Sequence, residues 1–126
     1  MSPAAIGFVG VGIMGKGMVG CLLSSEIAGN SDKPLILWNR TRQKCQDIQD
    51  SFPTKNIIIM DTPRDVVEAC GVTYCMLSTP EASRSVFEGK DGVLAGVSQG
   101  KSIVDCATLA EADMKRMSSA VVSLGG

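Results

Sequence analysis

Gly10-Val11-Gly12-Ile13-Met14-Gly15 is the stretch on which the fold of this chain turns. The apolar run Ala5-Ile6-Gly7-Phe8-Val9 leads into it, and residues 13–28 behind it carry a helical pattern, so the glycines stand between a strand and a helix. In that context each glycine has a task. Gly10 permits the tight turn, Gly12 lets the backbone approach a pyrophosphate, and Gly15 lets the helix pack close to the strand. Val11, Ile13 and Met14 complete the turn, and the free N–H groups at the helix start would meet the phosphate charge. With 14 glycines in the chain the bare pattern is weak evidence, and its plainer reading is a structural turn in some other doubly wound fold. Its position at residue 10, between strand and helix, favours the dinucleotide turn.

Outward from this turn, short apolar runs alternate with longer amphipathic ones, the pattern of repeated βα units. The first helix is predicted over residues 13–28, with Met14, Met18, Leu22 and Val19, Leu23 supplying its apolar face. The cluster Gly29-Asn30-Ser31-Asp32-Lys33-Pro34 stops it, and residues 35–38 form a second strand. Thr41 is placed to cap a helix running to residue 51. A third strand is predicted over 57–60. Thr62-Pro63 then starts a helix over 64–69. A fourth strand covers 72–77, and Thr79-Pro80-Glu81 repeats the cap-and-proline start of a helix to residue 87. Residues 89–100 read as a glycine-broken helical turn, 102–104 as a fifth strand and 109–121 as a last helix. The fold class is α/β: a Rossmann-type doubly wound parallel sheet, one NAD(P)-binding domain over residues 1–126, incomplete at its C-terminal side.

The end of the second strand decides the cofactor. An NAD site places Asp or Glu there for the ribose, but this chain reads Trp38-Asn39-Arg40-Thr41-Arg42, with Lys44 close behind. Asn39 suits a ribose hydroxyl. Arg40 suits adenine stacking and a 2′-phosphate, and the Thr41 hydroxyl can join it. The bland alternative is a solvated basic helix start. The placement favours NADP over NAD.

Composition excludes several classes of function. With 12 Lys and Arg against 13 Asp and Glu, the formal charge of −1 gives no support for a nucleic-acid or anionic-membrane binder. There is no histidine, which removes His-based acid–base work, a Ser/His/Asp triad and His-ligated metal within these residues. Cys21, Cys45, Cys70, Cys75 and Cys106 form no CxxC pair, and Cys75 and Cys106 read as small buried hydrophobes. Reduced thiols point to the cytoplasm or to a reducing organelle matrix reached after loss of a transit peptide. No apolar stretch is long enough to span a bilayer.

With these residues in hand, the sequence resembles the 3-hydroxyisobutyrate dehydrogenase and glyoxylate/succinic semialdehyde reductase family of β-hydroxyacid dehydrogenases. The resemblance is carried by the 7–15 segment, Trp38-Asn39-Arg40-Thr41, Met76-Leu77-Ser78, Gly92-Val93-Leu94 and Val104-Asp105-Cys106-Ala107-Thr108. It implies that Met76, Leu77 and Ser78 line the cofactor beyond the fourth strand and that Thr108 lies near the nicotinamide. The plainer roles are core for Met76 and Leu77, and helix starts for Ser78 and Thr108. The Asn-Arg-Thr form is similar to that of the NADPH-using reductases of glyoxylate and succinic semialdehyde. An NAD-using 3-hydroxyisobutyrate dehydrogenase is one alternative, and a non-catalytic nucleotide-binding or scaffold module is another, since the resemblance extends to members that work in chromatin. Ala107 departs from the family's serine and Glu111 from its proline. The family's catalytic lysine stands in an all-helical domain that has no counterpart here, and neither Lys101 nor Lys115 matches it. The resemblance therefore implies a cofactor-binding part with no catalytic residue and no metal, a small aldehyde or hydroxy acid as the substrate of the full-length parent, and a homo-oligomer.

Overall fold

The computed structural model describes residues 5–77, 79–106 and 111–126. Among the described residues, five strands and six helices follow in the order β1 (Ile6–Val9), α1 (Ile13–Ser24), β2 (Leu35–Trp38), α2 (Arg42–Ser51), β3 (Ile57–Ile59), α3 (Pro63–Ala69), β4 (Val72–Cys75), α4 (Pro80–Glu88), α5 (Val93–Gly96), β5 (Ser102–Asp105) and α6 (Glu111–Ser123). All strand pairs are parallel, and the sheet order is β3-β2-β1-β4-β5. The chain therefore builds outward from β1 to β3, then crosses back to set β4 on the other side of β1. That reversal opens a crevice beyond the C-terminal ends of β1 and β4, where α/β sheets bind ligands.

Each face of the sheet has its own core. On one face Phe8, Leu35 and Leu37 meet Val19 and Leu23 of α1 and Cys45 and Ile48 of α2. On the other, Val9, Ile36 and Cys75 meet Val66, Val67, Phe87, Val93 and Met117 from α3 to α6. Adjacent strand residues point to opposite faces, so two-sided burial requires the near-continuous apolar runs seen in the sequence. The Phe8 and Tyr74 rings stack across β1 and β4 with centroids 6.1 Å apart.

Several boundaries differ from the sequence reading. Helix α1 ends at Ser24 rather than near residue 28, because Glu26 adopts a left-handed φ of 61° and closes a Schellman turn. There the Ile27 amide donates to the Leu22 carbonyl at 3.1 Å and the Glu26 amide to that of Leu23 at 3.3 Å. The buried stripe of α1 is Gly15, Val19 and Leu23; Met14 is exposed, and Met18 and Leu22 are half-buried. Thr41 is the N-cap of α2, but its side chain makes no capping bond. Thr62 and Thr79 do cap, accepting from the Asp65 and Ala82 amides at 3.1 Å each. Strand β4 stops at Cys75 because its partner β1 turns away at Gly10, which leaves Met76 and Leu77 beyond the sheet. Cys75 is buried as expected, but Cys106, past the end of β5, is only half-buried. The start expected for the last helix lies outside the described residues.

Helix α1 also carries two glycines with no packing reason. A Cβ at Gly17 or Gly20 would meet nothing within 4 Å. Replacing either by alanine is expected to stabilise the chain by roughly 0.5–1 kcal/mol, since helical glycine mainly adds unfolded-state freedom. Urea unfolding checks this: a midpoint that falls in either variant contradicts the open geometry.

Candidate functional site

The chain enters the crevice at Gly10, whose φ of +95° belongs to the left-handed region that favours glycine. A Cβ there would collide with the Met76 carbonyl oxygen, and one at Gly15 with the Gly10 carbonyl oxygen. Gly12 differs from both. A Cβ at Gly12 would meet nothing within 4 Å, so the space over this residue is open to a ligand. Gly12 is also the N-cap of α1, with no side-chain cap and no acidic residue in the first turn. The helix start thus presents amide N–H groups and the positive end of its dipole without an acidic side chain in its own first turn to answer them.

Two bonds tie the turn to β2. The Gly10 amide donates to the Trp38 carbonyl at 2.9 Å, and the Val11 amide donates to Asn39 Oδ1 at 3.0 Å. Asn39 Nδ2 in turn donates to the Thr41 carbonyl at 3.1 Å. The Asn39 amide therefore braces the glycine turn against the β2–α2 loop, a positioning role that the sequence reading did not foresee.

A cleft of about 200 Å³ is lined by Gly10, Gly12, Trp38, Asn39, Arg40, Lys44, Met76, Leu77, Ala82 and Val86. It gathers six of the residues singled out from sequence: Gly10, Gly12, Asn39, Arg40, Met76 and Leu77. Trp38, Lys44, Ala82 and Val86 join them. Lys44 stands four residues after Arg40, and its basic character was the available signal; nothing local in the sequence marks Ala82 or Val86 of α4. Val11 is buried in the turn. Ile13 and Met14 stand at the helix start with exposures of 92 % and 66 %. Thr41 is exposed beside Arg40. Ser78 and Thr108 lie outside the described residues.

Among the described residues, no carboxylate lines this cleft, and the first turn of α2 carries no acidic residue either. Its charge comes from Arg40 and Lys44. A larger groove, about 380 Å³, lies between β5 and α6 and is walled mainly by Phe87, Ile103, Met114, Met117, Val121 and Val122. It contains none of the glycine turn, so size alone does not locate the chemistry. Lys101 on its rim is committed to structure, with Nζ donating to the Glu68 and Cys70 carbonyls at 2.9 and 2.8 Å at the C-terminal end of α3. Lys115 pairs with Glu111 at 2.9 Å on the exposed face of α6. Among the described residues, no three His, Cys, Asp or Glu side chains gather as a metal site, and no helix is long and apolar enough to cross a membrane.

Comparison with known proteins agrees with this fold. The glyoxylate/succinic semialdehyde reductase 1 of Arabidopsis thaliana is 33 % identical over 121 residues, covering 96 % of this chain and 38 % of that protein. The cytokine-like nuclear factor N-PAC of Homo sapiens is 36 % identical over 121 residues, 96 % of this chain and 20 % of its own length. Among solved structures, Psf3 in complex with NADP+ and 2-OPP superposes with a TM-score of 0.81 at 24 % identity, covering 95 % of this chain and 39 % of that one. An imine reductase from Myxococcus stipitatus in complex with NADP+ gives 0.74 at 19 % identity, covering 96 % and 38 %. These structures share the doubly wound fold. The chain spans between 20 % and 39 % of the length of these relatives. Residues 5–125 match the family described as the NAD binding domain of 6-phosphogluconate dehydrogenase, and the chain belongs to that family.

Proposed function

We propose that this chain is the NADP(H)-binding domain of an oxidoreductase that reduces small aldehyde acids such as glyoxylate or succinic semialdehyde. The observation that carries the reading is one cleft holding both an open Gly12 at an uncapped helix start and a β2 end with Arg40 and Lys44 but no carboxylate. The first feature fits a pyrophosphate and the second fits a 2′-phosphate. Asn39 would serve the ribose and Arg40 and Thr41 the phosphate on it, Met76, Leu77 and Ser78 would line the cofactor beyond β4, and Thr108 would serve the nicotinamide. Ile13 and Met14 supply the exposed apolar cover over the turn.

When bound, the cofactor supplies hydride chemistry; these residues hold and orient it. Among the described residues, Lys44 is assigned with Arg40 to the 2′-phosphate end of the cleft, and both Lys101 and Lys115 are engaged elsewhere. The catalytic group of the parent reductase therefore belongs outside these residues, and the isolated chain should show no steady-state turnover. The proteins of known structure with this fold include NADP+ complexes, and a relative at 33 % identity carries the reductase name, which supports the reading. A reducing compartment suits the five unpaired thiols. The apolar groove beside β5 suits self-association.

Paired titrations with NADPH and NADH at one salt concentration test the proposal. NADPH is expected to bind at least about tenfold tighter than NADH, a preference lost in Arg40→Ala. Equal binding of both cofactors by the wild-type chain would sink it. The second reading, a non-catalytic nucleotide-binding module, is favoured by the 36 % identity to a nuclear factor. Reductase activity of the whole protein decides between the two.

A further inference from the structure

Three cations stand at the start of α2, and the structure does not treat them alike. Arg40 and Lys44 line the cleft, whereas Arg42 does not. Arg42 Nη1 donates instead to Asp61 Oδ1 at 2.7 Å. Asp61 follows β3, and its backbone carbonyl accepts from the Trp38 indole Nε1 at 3.1 Å. Trp38 is itself a wall of the cleft. One residue thus anchors the cleft wall through its main chain and draws a cation off the cleft through its side chain. The pairing also answers a local need: Arg42 opens α2, where the helix dipole disfavours a positive charge.

We propose that Asp61 sets the strength of 2′-phosphate selection by holding Arg42 away from the cleft, so that two cations rather than three face the phosphate. The inference rests on the NADP reading above. Asp61 is a positioning residue acting through Arg42 and touches no cofactor atom. The pair is solvent-exposed, with side chains 53 % and 83 % accessible, so it contributes little to folding. Asp61→Asn keeps the carbonyl that holds Trp38 and removes only the charge.

The test is titration of the purified chain with NADPH and NADH at low and high salt, for wild type, Asp61→Asn, Asp61→Glu, Arg42→Ala and the Asp61→Asn/Arg42→Ala double variant. In Asp61→Asn, NADPH should bind about threefold tighter and NADH should change by less than about 1.5-fold. The gain should shrink in the double variant and at high salt, and Asp61→Glu should behave as wild type. A purely structural role would move both cofactors together, which overturns the proposal, as does an unchanged NADPH affinity. Arg40→Ala separates the two levels of the argument. If Arg40→Ala weakens NADPH while Asp61→Asn leaves it unchanged, only the Asp61 role falls; if Arg40→Ala has no effect, the NADP reading falls with it.

Discussion

Alanine at Gly10 or Gly15 is expected to cost the chain about 3 kcal/mol or more, while alanine at Gly12 leaves the fold nearly intact and weakens dinucleotide binding at least about tenfold. The sequence already gives the three positions different tasks, and the structure shows what surrounds each of them. At Gly10 a side chain must adopt a φ of +95° and collide with the Met76 carbonyl. Left-handed backbone costs a non-glycine residue roughly 1–2 kcal/mol before any collision is counted. At Gly15 the obstacle is the Gly10 carbonyl, a backbone atom that moves only if the turn or α1 shifts. At Gly12 the φ is −67° and the Cβ points into open space. Stability should therefore change by less than about 1 kcal/mol, the scale of an altered N-cap residue. The methyl group would occupy the path of the pyrophosphate and should weaken binding at least about tenfold. Urea unfolding together with NADPH titration distinguishes the three. A Gly12→Ala chain that binds as wild type does, or a Gly10→Ala chain of full stability, contradicts the assignment.

The second large effect is alkaline unfolding driven by buried thiols. Burial pushes Cys45 up to about 11 and Cys70 up to about 12, with the Arg42 and Lys101 charges opposing the shift in each case. Burial pushes Cys75 higher still, and nearby Asp105 and Cys106 add to the rise. Unfolded thiols titrate near ~8.5, so above that pH the unfolded chain releases protons that the folded chain retains. Their contribution to stability is complete below pH ~8.5 and is lost as pH climbs toward the folded values. The loss should reach roughly 3 kcal/mol per buried thiol near pH 11, enough in sum to unfold a domain of ordinary stability. Urea midpoints measured from pH 7 to 10.5 should decline above about pH 9, and less steeply in Cys70→Ala. A flat profile would show that the folded thiols ionise freely. In a thiol-reagent time course at neutral pH, exposed Cys21 should react first, with Cys45, Cys70 and Cys75 reacting only on unfolding.

Much of the architecture was legible because its signals are local. The alternation of apolar runs produced all five strands, and the Thr-Pro pairs at 62–63 and 79–80 located the starts of α3 and α4 through caps that the structure contains. Where the reading failed, the deciding contact was non-local or carried no residue signature. The end of α1 depends on Glu26 in a conformation usually left to glycine, so Gly29 drew the boundary instead. Met14 fits the helical spacing as well as Val19 does, yet only the Val19 side of α1 faces the sheet. Thr41 holds the capping position without making the bond, while its carbonyl accepts from Asn39.

The sequence by itself determined the doubly wound parallel fold, the glycine turn and the absence of a carboxylate after β2. Each of these follows from residue type and short-range spacing. Tertiary structure alone decided that Asn39 braces the turn and that Arg42 is drawn to Asp61 while Arg40 and Lys44 face the cleft. Those outcomes depend on the parallel packing that brings the ends of β1, β2 and β3 side by side. Residues 28 positions apart, such as Val11 and Asn39, become hydrogen-bonded neighbours only when the sheet exists.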